Sequence, residues 1–100
     1  MNLIKINKAL SNQTRVNILD WLKEPEKCFP AHIELGHFDF GVCLVFIKNK
    51  ADLSQSTISQ YMLQLQNIGF VTATRLGKWT YFKRNEETIE KYIHYLKKEL

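Results

Sequence analysis

The second half of the chain contains a polar segment in which apolar residues recur at a fixed spacing: Leu53-Ser54-Gln55-Ser56-Thr57-Ile58-Ser59-Gln60-Tyr61-Met62. Ile58, Met62 and Leu65 are separated by four and three residues, which is the period of one face of an amphipathic helix. Gly69 follows in a position where helices commonly end. The pattern predicts a helix over about residues 54–68, with one apolar and one polar face.

A shorter apolar segment precedes this helix. The run Val-Cys-Leu-Val-Phe-Ile at residues 42–47 fits either a strand or a buried helix when it is taken alone. Asp52 and Ser54 then provide capping groups between the two segments, which favours a helix over about residues 42–50 and a tight turn. Two helices joined in this way form a helix-turn-helix, here over about residues 42–68.

The sequence after Gly69 predicts a hairpin and a final helix. Residues 70–75 and 79–83 are rich in β-branched and aromatic residues and flank a turn that contains Gly77, so we expect a β-hairpin, or wing, over about residues 70–84. Asn85 is a suitable cap for a last helix over about residues 86–99. The fold class is therefore mainly α with a small β-hairpin, a winged helix-turn-helix.

The first part of the chain is predicted to form two helices and a loop. A short helix is expected within residues 2–10, and a second begins after Ser11 or Asn12 and ends at Pro25. The apolar stripe of the second helix comprises Val16, Leu19 and Leu22. Both prolines and two of the four glycines lie in residues 25–41, which predicts an irregular loop that packs on the domain.

Length and charge limit the functions that are open to this chain. One hundred residues make a single small domain, and 45% hydrophobic with 24% charged residues is typical of a globular protein. The net charge of +4 is concentrated in residues 48–84, where six basic residues stand against Asp52 alone and give +5. The basic residues are Lys48, Lys50, Arg75, Lys78, Lys83 and Arg84. Such a stretch suggests a polyanionic partner or, alternatively, a solvated surface.

The polar face of the second helix and the hairpin both point to DNA. Short uncharged side chains occupy the first two turns of the helix, where recognition helices meet base edges in the major groove; they are Gln55, Ser56, Ser59 and Gln60. A capped helix that merely faces water is the alternative. Arg75 and Lys78 bracket the hairpin turn, and with Lys83 and Arg84 they can lie along a phosphate backbone.

The motifs also resemble a known family. The run Ala9-Leu10-Ser11-Asn12-Gln13-Thr14-Arg15-Val16-Asn17-Ile18-Leu19 is similar to the opening signature of the ArsR/SmtB winged-helix repressors. The segment 53–62, the triplet Gly69-Phe70-Val71 and the pattern Arg-x-Gly-Lys-x-x-Tyr-Phe at residues 75–82 continue the resemblance in register. Tyr61 replaces a histidine that is often found there. Leu63 stands where a polar residue is usual, and the loop over 25–41 is the candidate to cover it.

The resemblance implies a homodimer built from the first and last helices, with two recognition helices in successive major grooves of a pseudo-palindromic operator in double-stranded DNA. It implies repression that an inducing signal, of unknown nature, relieves. Carried over by position, the expected DNA-facing residues are Ser54, Gln55, Ser56, Thr57, Ser59 and Gln60, with Arg75 and Lys78 as wing contacts.

The resemblance implies two metal sites, and both are incomplete here. Cys43 matches one thiol of the family's cysteine pair and Val45 replaces the other, and His94 is the only histidine that residues 86–100 provide for the site on the last helix. A different set of four residues has the chemistry of a tetrahedral zinc site, although its spacing is unusual: Cys28, His32, His37 and Cys43. A redox pair of Cys28 and Cys43 is a further alternative. We expect neither a metal nor a cofactor, and we predict that Cys43 is a small buried apolar residue.

No set of residues suited to catalysis is apparent, so the sequence predicts a protein that is not an enzyme. The main rival to a DNA-binding regulator is a winged-helix module that binds another protein. No apolar run approaches the roughly 20 residues of a membrane span, and the N-terminus has no leader pattern. A cytoplasmic location is therefore expected.

Overall fold

The structure, a computed structural model, describes residues 1–30 and 36–100. In chain order the elements are α1 (Leu3–Leu10), α2 (Gln13–Lys23), α3 (Pro25–Cys28), β1 (Val42–Cys43), α4 (Leu44–Ala51), α5 (Gln55–Asn67), β2 (Val71–Leu76), β3 (Trp79–Arg84) and α6 (Glu86–Glu99). The strands form an antiparallel sheet in the order β1-β3-β2. The described part of the chain is thus mainly helical with a small sheet, as the sequence predicts. Over those same ranges, every helix is too short or too polar to cross a bilayer.

The helix boundaries follow the capping residues that the sequence offers. Asn12, Ser54 and Asn85 each accept a hydrogen bond from the backbone N–H three residues later, at 3.0, 3.2 and 3.3 Å. These bonds satisfy amides that a first helical turn leaves without a partner. Gly69 adopts a φ of +79° just beyond the end of α5, the conformation of a helix C-terminus that glycine tolerates.

The prediction of a helix over residues 42–50 is wrong for its first two residues. Val42 and Cys43 form β1 and pair with Phe82 and Tyr81 of β3, so that α4 begins at Leu44. The reason is a pairing with a strand far along the chain, which satisfies the backbone in a way that local periodicity does not reveal. This short strand attaches the start of the helix-turn-helix to the wing.

Leu19 and Leu22 of the predicted apolar stripe of α2 are buried, but Val16 is not. Val16 is 41% exposed, whereas Arg15 is buried on the side that faces α1. The Arg15 Nε–H donates to the carbonyl oxygen of Ala9 at 2.6 Å, and an Nη2–H donates to that of Lys8 at 3.4 Å. A buried guanidinium is tolerated here because it donates to carbonyl oxygens in the last turn of α1. The Lys8 carbonyl oxygen also accepts from the Ser11 N–H at 3.3 Å.

Residues 25–41, which the sequence predicts to form an irregular loop, contain the single-turn helix α3 that begins at Pro25. Proline suits that position because its fixed φ is helical and it has no N–H to leave unpaired. Residues 36–41 are irregular up to Gly41, whose φ is +96°.

The core lies between the helices and the inner face of the sheet. The residues that are least exposed come from α2, α4, α5 and all three strands, and include Ile18, Ile47, Ile58, Met62, Leu65 and Tyr81. The last helix is attached to the first by the Tyr92 Oη–H, which donates to Asn7 Oδ1 at 2.9 Å. Ile4 of α1 and Ile93 of α6 remain 79% and 45% exposed, so both terminal helices present apolar side chains to solvent.

Candidate nucleic-acid interface

The polar face of α5 is exposed because its apolar face is completely used in the core. Ile58, Met62 and Leu65 are each 0% exposed, which fixes the rotation of the helix about its axis. The opposite side therefore faces solvent and presents the residues that the sequence predicts to contact DNA: Gln55, Ser56, Ser59 and Gln60 are all exposed. Their amide and hydroxyl groups are suited to hydrogen bonding with base edges.

The other two residues of the predicted set, Ser54 and Thr57, are engaged in capping α5. The Ser54 Oγ accepts from the Thr57 N–H and donates to the Thr57 Oγ1 at 2.9 Å. Ser54 is exposed and Thr57 is half-buried. Their first role is therefore to hold the start of the helix, and the Ser56 hydroxyl lies 3.3 Å from the Ser54 hydroxyl at the same end.

The wing places two cations beside the start of α5. β2 and β3 are joined by a two-residue turn in which Gly77 has a φ of +61°, a conformation that glycine readily supplies at the first position of such a turn. Arg75 and Lys78 are exposed on either side of Gly77. The Arg75 Nε–H donates to the Gly77 carbonyl oxygen at 3.1 Å, and the Lys78 Nζ lies 5.0 Å from the centroid of the Trp79 ring. These contacts orient both side chains near the turn.

An open cleft connects the helix and the wing. It has a volume of about 320 Å³, and its lining includes Gln55 at the start of α5 together with Arg75 and Lys78 of the wing. The structure thus brings Gln55, the first of the predicted residues in α5, to the same cleft as the predicted wing residues. The cleft combines neutral hydrogen-bonding groups with positive charge, which is the combination that a DNA groove and its phosphates require.

Two cations of the basic stretch, Arg84 and Lys50, contact other parts of the protein. Arg84 binds both carboxylate oxygens of Glu86 at 2.9 Å and donates to the Leu19 carbonyl oxygen at 3.0 Å, so it joins three elements of the fold. Lys50 lies 5.2 Å from the centroid of the Trp21 ring. Arg84 thus makes three hydrogen bonds inside the protein, so we no longer place it among the phosphate contacts.

Charge and hydrogen-bonding capacity are divided between different elements. α5 contains no charged residue from Gln55 to Asn67. Other elements supply the exposed cations beside it: the wing supplies Arg75 and Lys78 near its start, and α1 supplies Lys5 and Lys8 near its end. Lys83 also lies in the wing, where its Nζ donates to the carbonyl oxygen of Asp39 at 3.4 Å. Attraction for a polyanion is thus expected from the wing and discrimination from the helix.

Tyr61 and Leu63, the two positions at which the sequence departs from the ArsR/SmtB pattern, lie in different structural environments. Tyr61 is half-buried, and its ring lies 4.9 Å from the Arg15 guanidinium while its hydroxyl accepts from the Asn12 Nδ2–H at 3.3 Å. It belongs to the packing between α2 and α5. Leu63 is 53% exposed, so the described parts of the loop, residues 25–30 and 36–41, do not cover it as expected. Its spacing of seven residues from Ser56 is the sequence signal that places it on the polar face.

The cysteines are free thiols, with Cys43 buried as predicted and Cys28 half-buried. Of the four residues considered for zinc, His32 lies outside the described residues. Within residues 1–30 and 36–100, no three histidine, cysteine or acidic side chains come together in a way that could hold a metal ion.

The chain was compared with known families, proteins and structures. No family model matches it. It is 45% identical over 100 residues to the Bacillus subtilis (strain 168) protein named "Uncharacterized HTH-type transcriptional regulator YbzH", and the match covers 100% of both chains.

Two solved structures show the same fold. One is a possible transcriptional regulatory protein (fragment 1-100) from Mycobacterium bovis, with a TM-score of 0.66 and 22% identity over 97% of this chain and 91% of that chain. The other is HlyU from Vibrio cholerae N16961, with a TM-score of 0.61 and 21% identity over 93% and 88%. They confirm the winged helix-turn-helix fold. On its 45% identity over the whole length of its relative, the chain belongs to the HTH-type transcriptional regulators.

Proposed function

We propose that this protein is a sequence-specific transcriptional regulator that binds double-stranded DNA, and that it acts as an ArsR/SmtB-type repressor. In this proposal α5 enters the major groove and the wing contacts the adjacent backbone. The observation that carries the proposal is the single surface on which an exposed neutral helix face meets the wing cations, and the named regulator relative supports it.

The proposed base contacts come from Gln55, Ser56, Ser59 and Gln60. Gln can bind adenine through two hydrogen bonds, whereas Ser discriminates less strongly. Ser54 and Thr57 contribute by capping α5, whose first amides then point toward the phosphates. Arg75 and Lys78 act as phosphate contacts that position the helix without reading the sequence.

We further propose that the protein binds a pseudo-palindromic operator as a homodimer. The exposed apolar residues of α1 and α6, among them Ile4 and Ile93, are the proposed interface. Burial of this surface would also add to the small core of a 100-residue domain. Repression follows from occlusion of the promoter, and an inducing signal would lower the affinity for the operator.

Titration of labelled duplexes at several salt concentrations tests this function. We expect a selected duplex to bind more tightly than a random one, with an affinity that falls log-linearly as salt increases because phosphate contacts release counterions. A module that binds only protein would instead show no preference among duplex sequences. Equal affinity for all duplexes would therefore refute the proposal and favour that alternative.

A further inference from the structure

Leu63 is an apolar residue on a face of α5 that is otherwise polar. It is 53% exposed, and every other exposed residue of this helix is a serine, a glutamine or an asparagine. Single exposed leucines are common on protein surfaces. Its importance therefore depends on where on the helix it lies.

Helical geometry aligns Leu63 with the proposed DNA-facing surface, about one turn beyond Gln60. It follows Ser56 by seven residues, so the two side chains differ by only about 20° around the helix axis. It follows Gln60 by three residues, which places it about 4.5 Å further along the axis at 1.5 Å per residue. Leu65, on the opposite side, is 0% exposed, which confirms that Leu63 points outward with Ser56 and Gln60.

We propose that Leu63 contacts the C5-methyl group of a thymine and thereby selects that base in each half-site. Among the base edges of the major groove, the thymine methyl is the one apolar group, and apolar side chains bind it. A leucine that covered a base amino or carbonyl group would remove its water without replacing the hydrogen bond. This inference rests on the proposed function, because it requires α5 to lie in the groove.

The test removes the methyl group and the leucine separately. A duplex is first selected from a random pool with the wild-type protein, and each thymine is then replaced in turn by deoxyuridine, which lacks only the methyl. We expect the affinity of the wild type to fall about fourfold at one position of each half-site, the equivalent of one buried methyl group. Leu63→Ala and Leu63→Gln should bind the thymine and deoxyuridine duplexes equally.

The matched control is Gln64→Ala, an exposed neighbour about 100° around the helix. It should keep the wild-type ratio of affinities for the two duplexes. Because Leu63 and Gln64 are both exposed, all three variants should retain the thermal midpoint of the wild type.

Two results would overturn the inference: an unchanged wild-type affinity at every deoxyuridine position, or a thymine preference that Leu63→Ala retains in full. Both leave the proposed function intact when the selected duplex is still preferred over random DNA. Loss of that preference in the wild type would instead refute the proposed function, and the inference with it.

Discussion

The guanidinium of Arg84 donates two hydrogen bonds of 2.9 Å to the carboxylate of Glu86, so the end of β3 is attached to the first turn of α6. A third bond of 3.0 Å reaches the carbonyl oxygen of Leu19 in α2. Charge-assisted bonds with two parallel N–H donors are among the stronger side-chain interactions. The carboxylate also lies at the helix N-terminus, where negative charge is favoured.

Removal of this arginine should therefore destabilise the fold. We expect Arg84→Ala to lower the free energy of unfolding by about 1.5–3 kcal/mol, the range for hydrogen bonds to charged groups, as measured by chemical denaturation. Lys83→Ala is the control, because Lys83 is exposed and should change stability by no more than about 0.5 kcal/mol. Equal effects of the two substitutions would contradict the structural role of Arg84.

Substitutions at Ser54 should separate helix capping from DNA binding. Ser54→Ala removes the cap of α5 and should cost about 1 kcal/mol of stability. Ser54→Asp restores a capping oxygen and so should keep stability close to that of the wild type, but its charge would repel phosphates and weaken binding to all duplexes. Denaturation and duplex titration together measure both effects. An aspartate variant with unimpaired DNA binding would show that this end of α5 does not face the backbone.

Base contacts and phosphate contacts should respond differently to mutation. The double variant Ser56→Ala with Gln60→Ala should weaken binding to the selected operator by roughly 1–3 kcal/mol per lost contact and leave random DNA little affected. Lys78→Ala should weaken binding to all sequences similarly and reduce the salt slope by about 1. Equal losses on operator and random DNA for both proteins would refute this division of roles.

The path of the chain into β1 depends on Gly41. A Cβ at this position would overlap the carbonyl oxygen of Phe82, and the φ of +96° is unfavourable for other residues. Gly77 also has a positive φ, but no atom lies within 4 Å of the site that its Cβ would occupy. We expect Gly77→Ala to cost about 1–2 kcal/mol from backbone strain alone, and Gly41→Ala to cost clearly more. Thermal denaturation of the two variants gives the comparison, and similar losses would argue against the close approach at Gly41.

The proposed dimer can be tested on α6. Ile93→Lys places a charge in the proposed apolar interface and should convert a wild-type dimer into monomers in sedimentation experiments. Operator affinity should fall with it, because the two half-sites are no longer bound jointly. Asp20→Lys, at an exposed position of α2, should leave the assembly unchanged. A wild-type monomer, or a dimer that Ile93→Lys does not disturb, would show that this surface is not the interface.

The sequence predicts the elements whose signals are local. The caps at Asn12 and Asn85 and the apolar period of α5 each lie within a few residues of the structure that they determine. The sequence does not reveal features that depend on residues far along the chain. Val42 is in a strand because Phe82 is beside it, and Arg15 is buried because α1 ends where the guanidinium can reach the carbonyl oxygen of Ala9.

The candidate site also has features that the sequence predicts and features that depend on distant residues. Periodicity alone identifies the exposed face of α5, and Leu63 is found by extending that face one more turn. The sequence shows the positive charge of the basic stretch, but it does not show which of these cations are free to contact DNA. The Arg84 guanidinium is engaged inside the protein because Glu86 and a carbonyl of α2 lie within its reach, whereas Lys78 stays exposed beside the wing turn.

The absence of charge between Gln55 and Asn67 has an evolutionary consequence under the proposed function. Exchanges among serine, glutamine, leucine and similar residues on this helix would alter the preferred target while the grip on the duplex, supplied by other parts of the protein, stayed constant. Homologous genes can therefore evolve to recognise new promoters through a few substitutions among uncharged residues. Each intermediate protein in this path would still bind DNA.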